Sequence, residues 1–313
     1  MERKVKDYVI IGLKGIAMGA ADVVPGVSGG TIAFITGIYQ ELIDTIEGLN
    51  FGLLKLWNKE GFKAFWKASN ASFLVTLLAG IFFSVVTLAK GISHLLETEP
   101  VLVWSFFFGL VLASIFVVAK SVDTFSWKGL IIASAAGFFA YYITTLQPLV
   151  NEDASLIFLF ISGALAICAM ILPGISGSFI LVLLGAYTPV LNAIHSRDFK
   201  TIAVVGLGAI VGLLSFSRLL KWLFTNYKNS TLTGLIGFII GSLNKIWPWK
   251  QVLTWRTNSH GEQVPLLEKS VLPQNFEGDP QVFYAVLAAL SGLGLIILIE
   301  WLANKGSKSI EES

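Results

Sequence analysis

The sequence predicts an all-α polytopic membrane protein of two inverted repeats, each a re-entrant broken-helix hairpin plus three transmembrane helices. Three observations predict it: an apolar composition, six span-length apolar stretches beside two interrupted ones, and an internal repeat. Of 313 residues only 13% are charged, while AVILMFWYC residues make up 55% and the mean hydropathy is +0.75. Globular domains carry about twice that charge, so a disordered chain is excluded and the composition argues against a water-soluble α/β enzyme. The net charge of +2 is too small for a nucleic-acid binder. Three His and the single Cys168 have no metal-ligand spacing, so no metal site and no cofactor are expected.

Taken in order, residues 1–7 are basic and precede the first interrupted region, 8–46. Lys14 breaks the apolar run and the segment recurs later, which argues against a cleavable signal peptide. Pro25-Gly26 interrupts this region, and Pro173-Gly174 interrupts the second, 154–194. Proline removes a donor and disfavours helix at the residue before it, so each region should be two short helices around a break. The stretches 72–92, 101–119, 129–147, 201–217, 230–247 and 281–302 each suit a bilayer core, which needs roughly 20 apolar residues of helix. Between them, 47–71 interleaves Lys55, Lys59, Lys63 and Lys67 with Leu53, Leu54, Trp57, Phe62 and Trp66, the pattern of a surface helix on anionic lipid. The loop 248–280 is the longest and is expected to be the most mobile part, and 304–313 is expected to be a disordered tail.

Ala21–Ile46 and Ala169–Ile194 align at a constant offset of 148, with nine identities in 26 positions, concentrated at the break. That offset is near half the chain and marks a duplication, 1–150 and 151–303. If each interrupted region returns to its own side, three spans separate the two halves and invert them. Charge favours this arrangement. It places 14 of the 22 basic residues at one end, with 1–7, 47–71, 120–128, 218–229 and the tail, and the positive-inside rule makes that end cytoplasmic.

Inverted repeats with broken helices are a transporter signature. The helix after each break starts inside the membrane, at Ser28-Gly29-Gly30-Thr31 and Ser176-Gly177-Ser178. Unpaired N–H groups, the helix dipole and nearby hydroxyls favour an anion there, phosphate in particular. The ordinary alternative is that Ser and Gly only permit close packing. Lys14 and Asp22 share a face of the first helix, and a charge at that depth is functional by default. Asp22 is a candidate coupling site for H+ or Na+, or a group that merely binds N–H groups of the break. Lys14 would assist the anion. Arg218 is a candidate phosphate contact or a snorkelling anchor.

The run ADVVPGVSGGTIAFITGIYQELI followed by LPGISGSFILVLLGAY resembles the bacterial polyprenyl-phosphate transporter family, over about residues 8–302. The resemblance implies a carrier in the bacterial cytoplasmic membrane, and the charge distribution puts both termini on the cytoplasmic side. It would return undecaprenyl phosphate from the outer to the inner leaflet for peptidoglycan and other envelope polymers. The motif positions it carries over are Pro25, Gly26, Ser28, Gly29, Gly30 and Thr31, with Pro173, Gly174, Ser176, Gly177 and Ser178. An intramembrane undecaprenyl pyrophosphate phosphatase and an inorganic anion transporter remain alternatives. The phosphatase chemistry needs an Arg or His beside the serine and an acid pair, and neither motif supplies them. Oligomeric state is not legible in the sequence.

Overall fold

The computed structural model describes residues 3–311 except 25, 150–153 and 258–262, and for 256–257, 263–264, 266 and 301–311 it describes the backbone only. The first half runs α1 (Val5–Val23), α2 (Gly29–Ile35), α3 (Tyr39–Gly48), α4 (Phe51–Glu60), α5 (Phe62–Ala68), α6 (Ala71–Thr98), α7 (Pro100–Lys120) and α8 (Trp127–Thr145). The second runs α9 (Leu156–Ile171), α10 (Gly177–Leu183), α11 (Tyr187–His195), α12 (Phe199–Ser242), strands β1 (Lys250–Thr257) and β2 (Gln263–Ser270), and α13 (Val282–Glu311).

Each interrupted region holds three helices rather than the expected two. A first break is turned by Gly26 and Gly174, with φ of +84° and +101°, and a second by Gly37 and Gly185, with φ of +73° and +71°. Both pairs obey the offset of 148, so the repeat in sequence is also a repeat in backbone conformation. Only glycine adopts that conformation without strain. Residue Pro25 lies outside the described residues.

Among the described residues four helices are long and apolar enough to cross a membrane: α6, α7, α12 with the turn to Ile246, and Val282–Glu300 of α13. Bent by 108° where they join, α10 and α11 form a broken fifth candidate. The other expected spans are helical as well. The stretch 129–147 falls in α8, 19 residues of mostly apolar helix that ends at Thr145. The stretches 201–217 and 230–247 belong to one helical run, and the loop expected at 218–229 is helical apart from Tyr227 (φ −139°, ψ 42°). Lys, Arg and Asn are polar but do not break helices, so the run continues through them. A straight helix of 44 residues would be about 66 Å long, twice a bilayer core. Tyr227 divides it into a longer arm, Phe199–Asn226, and a shorter one, Lys228–Ser242, which the turn to Ile246 extends.

Four helix pairs form the bundle, each meeting at glycine. A Cβ on Gly15 or Gly19 of α1 would strike the α6 backbone at Leu77 and Ile81, and one on Gly208 or Gly212 of α12 would strike α9 at Phe160 and Ala164. Likewise Gly237 and Gly241 lie on Ala133 and Gly137 of α8, and Gly109 and Gly292 join α7 to α13. Small residues at this spacing let helix backbones approach where lipid supplies no hydrophobic drive. The contacts advance together along both chains in the α1/α6, α9/α12 and α8/α12 pairs, so those helices run parallel.

Ion pairs gather at one end: Arg3–Glu41, Lys221–Glu47, Lys228–Asp123 and Lys120–Glu300. The helix N-termini of α1 and α6 are there, with the turn at Tyr227. The outer wall is apolar, with Phe82, Phe138, Phe139, Phe283 and Leu290 all exposed, as suits lipid contact. The basic segment 47–71 forms α4 and α5, split at Gly61, and exposes Phe51, Trp57, Phe62 and Trp66.

Two further expectations change. The loop 248–280 contains an antiparallel ribbon of β1 and β2 with Lys250 opposite Ser270, so the chain is not wholly α-helical as expected. Trp247 and Trp249 tether the ribbon's base, donating to the carbonyls of Val271 and Pro280 at 2.8 Å. The segment expected to be a disordered tail continues α13 as far as Glu311, since a lone Gly306 is too weak a breaker to end a helix already propagating from the span.

Candidate functional site

The two breaks meet, and they do so through the residues the repeat singled out. Ser28 caps α2, accepting the Gly30 N–H at 3.1 Å, and Ser176 caps α10, accepting the Phe179 N–H at 3.2 Å. Both hydroxyls also reach the opposite hairpin. The Gly26 N–H donates to Ser176 Oγ at 3.2 Å, while Ser28 Oγ donates to the carbonyls of Met170 and Leu172 at 2.9 and 3.2 Å. The Gly174 N–H donates to Thr31 Oγ1 at 3.0 Å. Ser28 and Thr31 are fully buried and Ser176 is 4% exposed. Ser178 lies 3.3 Å from Ser176, hydroxyl to hydroxyl.

These bonds satisfy backbone groups that helix ends leave unpaired. The exchange is not fully symmetric: Ser28 serves the carbonyl end of α9, whereas Ser176 serves an N–H of the first break. Glycines of the motif permit the contact. A Cβ on Gly30 would lie 2.5 Å from the Ile171 carbonyl of the opposite hairpin, whereas one on Gly177 would lie 2.7 Å from the Ala166 carbonyl of its own hairpin.

Asp22 caps the first break from within its own hairpin. Its Oδ1 accepts the Gly29 N–H at 2.7 Å, and Oδ2 is buried with no hydrogen-bond partner among the described residues. A Cβ on Gly29 would come within 2.6 Å of Oδ2, so glycine there admits the carboxylate. The offset places Met170 at the matching position, so one helix end carries a built-in anion and the other does not.

Lys14 is turned away from this centre. Its ammonium donates to the Thr36 carbonyl at 2.6 Å, holding the far end of α2. Arg218 is exposed within continuous α12, not at a helix end, and makes no hydrogen bond or ion pair with the break residues. A cleft of about 390 Å³ opens elsewhere, toward the ion-paired end, lined by Phe34, Gly37, Tyr39, Phe224 and Lys228.

A basic pair absent from the expected site stands beside the breaks. The Lys245 stem packs on Gly26, where a Cβ would lie 2.8 Å from its Cγ, and its ammonium sits 4.9 Å from the Phe179 ring centre. Lys250 is 7% exposed, with its ammonium 3.8 Å from the centre of the Trp104 ring. Glu268 faces both, at 3.6 Å from Lys245 and 3.7 Å from Lys250. Burial pulls the Lys250 ammonium down to about 8, against the raising influence of Glu268. The folded state therefore binds Lys250's proton less tightly than the unfolded chain, and stability rises with pH between about 8 and the ordinary lysine value. Lys250→Met is accordingly expected to raise the melting temperature at pH 7, with the gain shrinking by pH 10 in detergent thermal scans. No sequence pattern singles out this pair, because Lys245 reads as a span edge and Lys250 as a loop residue.

Crossing helices packed at glycine, with apolar helices long enough to span a bilayer, define a multi-pass helical membrane protein. More specifically, the chain belongs to the undecaprenyl phosphate translocase-like family, whose model matches residues 18–264. It is 48% identical over 309 residues to the polyprenyl-phosphate transporter of Vibrio cholerae, covering 97% of this chain and all of that one. It is 31% identical over 253 residues to the polyprenyl-phosphate transporter of Staphylococcus aureus, covering 75% and 85%. No solved structure matches the chain.

Proposed function

We propose that this chain carries a polyprenyl phosphate, undecaprenyl phosphate in particular, from the outer to the inner leaflet of the bacterial cytoplasmic membrane. It acts as a carrier and not as an enzyme. The observation that carries this reading is the reciprocal bonding of the breaks: Gly26 N–H on Ser176 and Gly174 N–H on Thr31. Each is a donor or hydroxyl that a phosphate oxygen can take over when the hairpins part. Gly29, Gly30, Gly177 and Ser178 complete the headgroup's surroundings, and the isoprenoid tail stays in lipid. The names of both relatives support the substrate class.

In this reading residues 1–150 and 151–303 are inverted repeats. The ion-paired end, with both termini, faces the cytoplasm, and the ribbon faces out. The parallel α1/α6 and α9/α12 pairs support it, since each hairpin then enters from the side where its partner span begins. The first test is exchange of labelled undecaprenyl phosphate between the leaflets of vesicles holding the purified protein. Exchange well above protein-free vesicles is expected. A static lipid with hydrolysis of the pyrophosphate would replace the carrier with the phosphatase.

Asp22 is the coupling residue for H+ or Na+, because its buried Oδ2 is free to take a cation while Oδ1 holds the break. Asp22→Asn keeps an acceptor for Gly29 and removes the charge. Exchange by this variant is expected to lose its response to an imposed pH or Na+ gradient, and an undiminished response would remove Asp22 from coupling.

A further inference from the structure

A buried ammonium group, Lys250, and a partly buried one, Lys245, face one carboxylate and leave a surplus positive charge. Lys245 and Lys250 approach the same oxygen of Glu268, both beyond hydrogen-bond length. The Lys250 ammonium makes no hydrogen bond among the described residues, although it is nine-tenths buried and has three donors. Aromatic faces help to hold cations there, Trp104 for Lys250 and Phe179 for Lys245. An unneutralised charge at that burial is costly unless an anion completes it. A phosphate monoester supplies the missing charge and several acceptors at once.

We propose that Lys245, Lys250 and Glu268 form a receiving site for a phosphate monoester at the ribbon side of the paired breaks. This rests on the carrier reading and extends it. Lys245 touches Gly26 of the first hairpin and Phe179 of the second, so an anion held by this pair lies next to the groups that receive it. Glu268 is the resident counter-ion, and an arriving phosphate displaces it.

The test is binding by the full chain in nanodiscs, measured calorimetrically with inorganic phosphate and with a short-chain polyprenyl phosphate. Lys250→Met is expected to weaken binding at least tenfold while remaining folded, since methionine fills the same buried space. Glu268→Gln is expected to tighten binding about three- to tenfold by releasing both lysines. Effects on both probes would mean that the phosphate group alone is recognised; effects on the lipid alone would make the headgroup on its membrane-held tail the ligand. Either supports the site. Unchanged affinity in both variants, with folding verified by thermal scans, would overturn it. If binding still fell in Ser28→Ala, the carrier reading would survive that loss. Failure of wild type to bind either probe would overturn both readings.

Discussion

Ser28→Ala combined with Ser176→Ala is expected to slow leaflet exchange of undecaprenyl phosphate about 100-fold. The estimate assumes that each hydroxyl makes one hydrogen bond to the charged phosphate that strengthens in the crossing. Such bonds contribute about 1.5 kcal/mol or more, and each 1.4 kcal/mol is a factor of ten in rate. The same hydroxyls bind the opposite break in the structure, so the double variant also loses roughly 1 kcal/mol of stability per hydroxyl. Thermal scans separate the two effects: a loss of stability that leaves exchange intact would assign the serines to packing alone. Ser291→Ala is the control, because its hydroxyl only bonds the Ala288 carbonyl of its own helix. Exchange within twofold of wild type in the folded double variant would place the headgroup elsewhere.

The parts of this site that were legible in sequence are those that repeat. An offset of 148 found Gly26 and Gly174, and both turn the backbone through positive φ. It also matched Gly37 with Gly185, yet those read as ordinary helix positions, because a single glycine in an apolar run carries no mark of a second break. The caps at Ser28 and Ser176 were legible for the same reason. Their cross-bonds were not: that Thr31 rather than Ser28 receives the Gly174 N–H depends on how two hairpins dock.

Charge misled where it stood in for structure. Arg218, Lys221 and Lys228 suggested a loop, but polar residues at the end of a bilayer can remain helical, and only the backbone of Tyr227 breaks the run. The ribbon escaped for a related reason. Proline, glycine and charge dominate 248–280 and conceal two short alternating segments whose pairing is a tertiary event. Lys245 shows the cost most clearly. In sequence it is a basic residue at a span edge; in the fold it lies on the first break and faces Phe179 of the second hairpin.

Gly237→Leu is expected to abolish the folded, monodisperse protein. At the crossing of α8 and α12, a Cβ at this position collides with the carbonyl and Cα of Ala133, and one turn later Gly241 is equally close to Gly137. Overpacking usually costs roughly 1–3 kcal/mol because side chains shift to absorb it. Here the obstacle is helix backbone, which moves only if the whole pair separates, so the cost should meet or exceed the top of that range. Separation also removes the close contacts that hold this pair together in a solvent as apolar as its side chains. The damage should reach the site, because Gly174 packs on Ser242 and Ile239 of the same arm of α12, so closely that a Cβ there would strike Ser242. Gly206→Ala is the matched control: nothing lies within 4 Å of a Cβ there, and the variant should purify and melt as wild type does. Size-exclusion chromatography in detergent decides the outcome. A monodisperse Gly237→Leu with wild-type exchange would mean that α8 and α12 do not cross at this glycine, and the second hairpin would lose the support that positions Gly174 against Thr31.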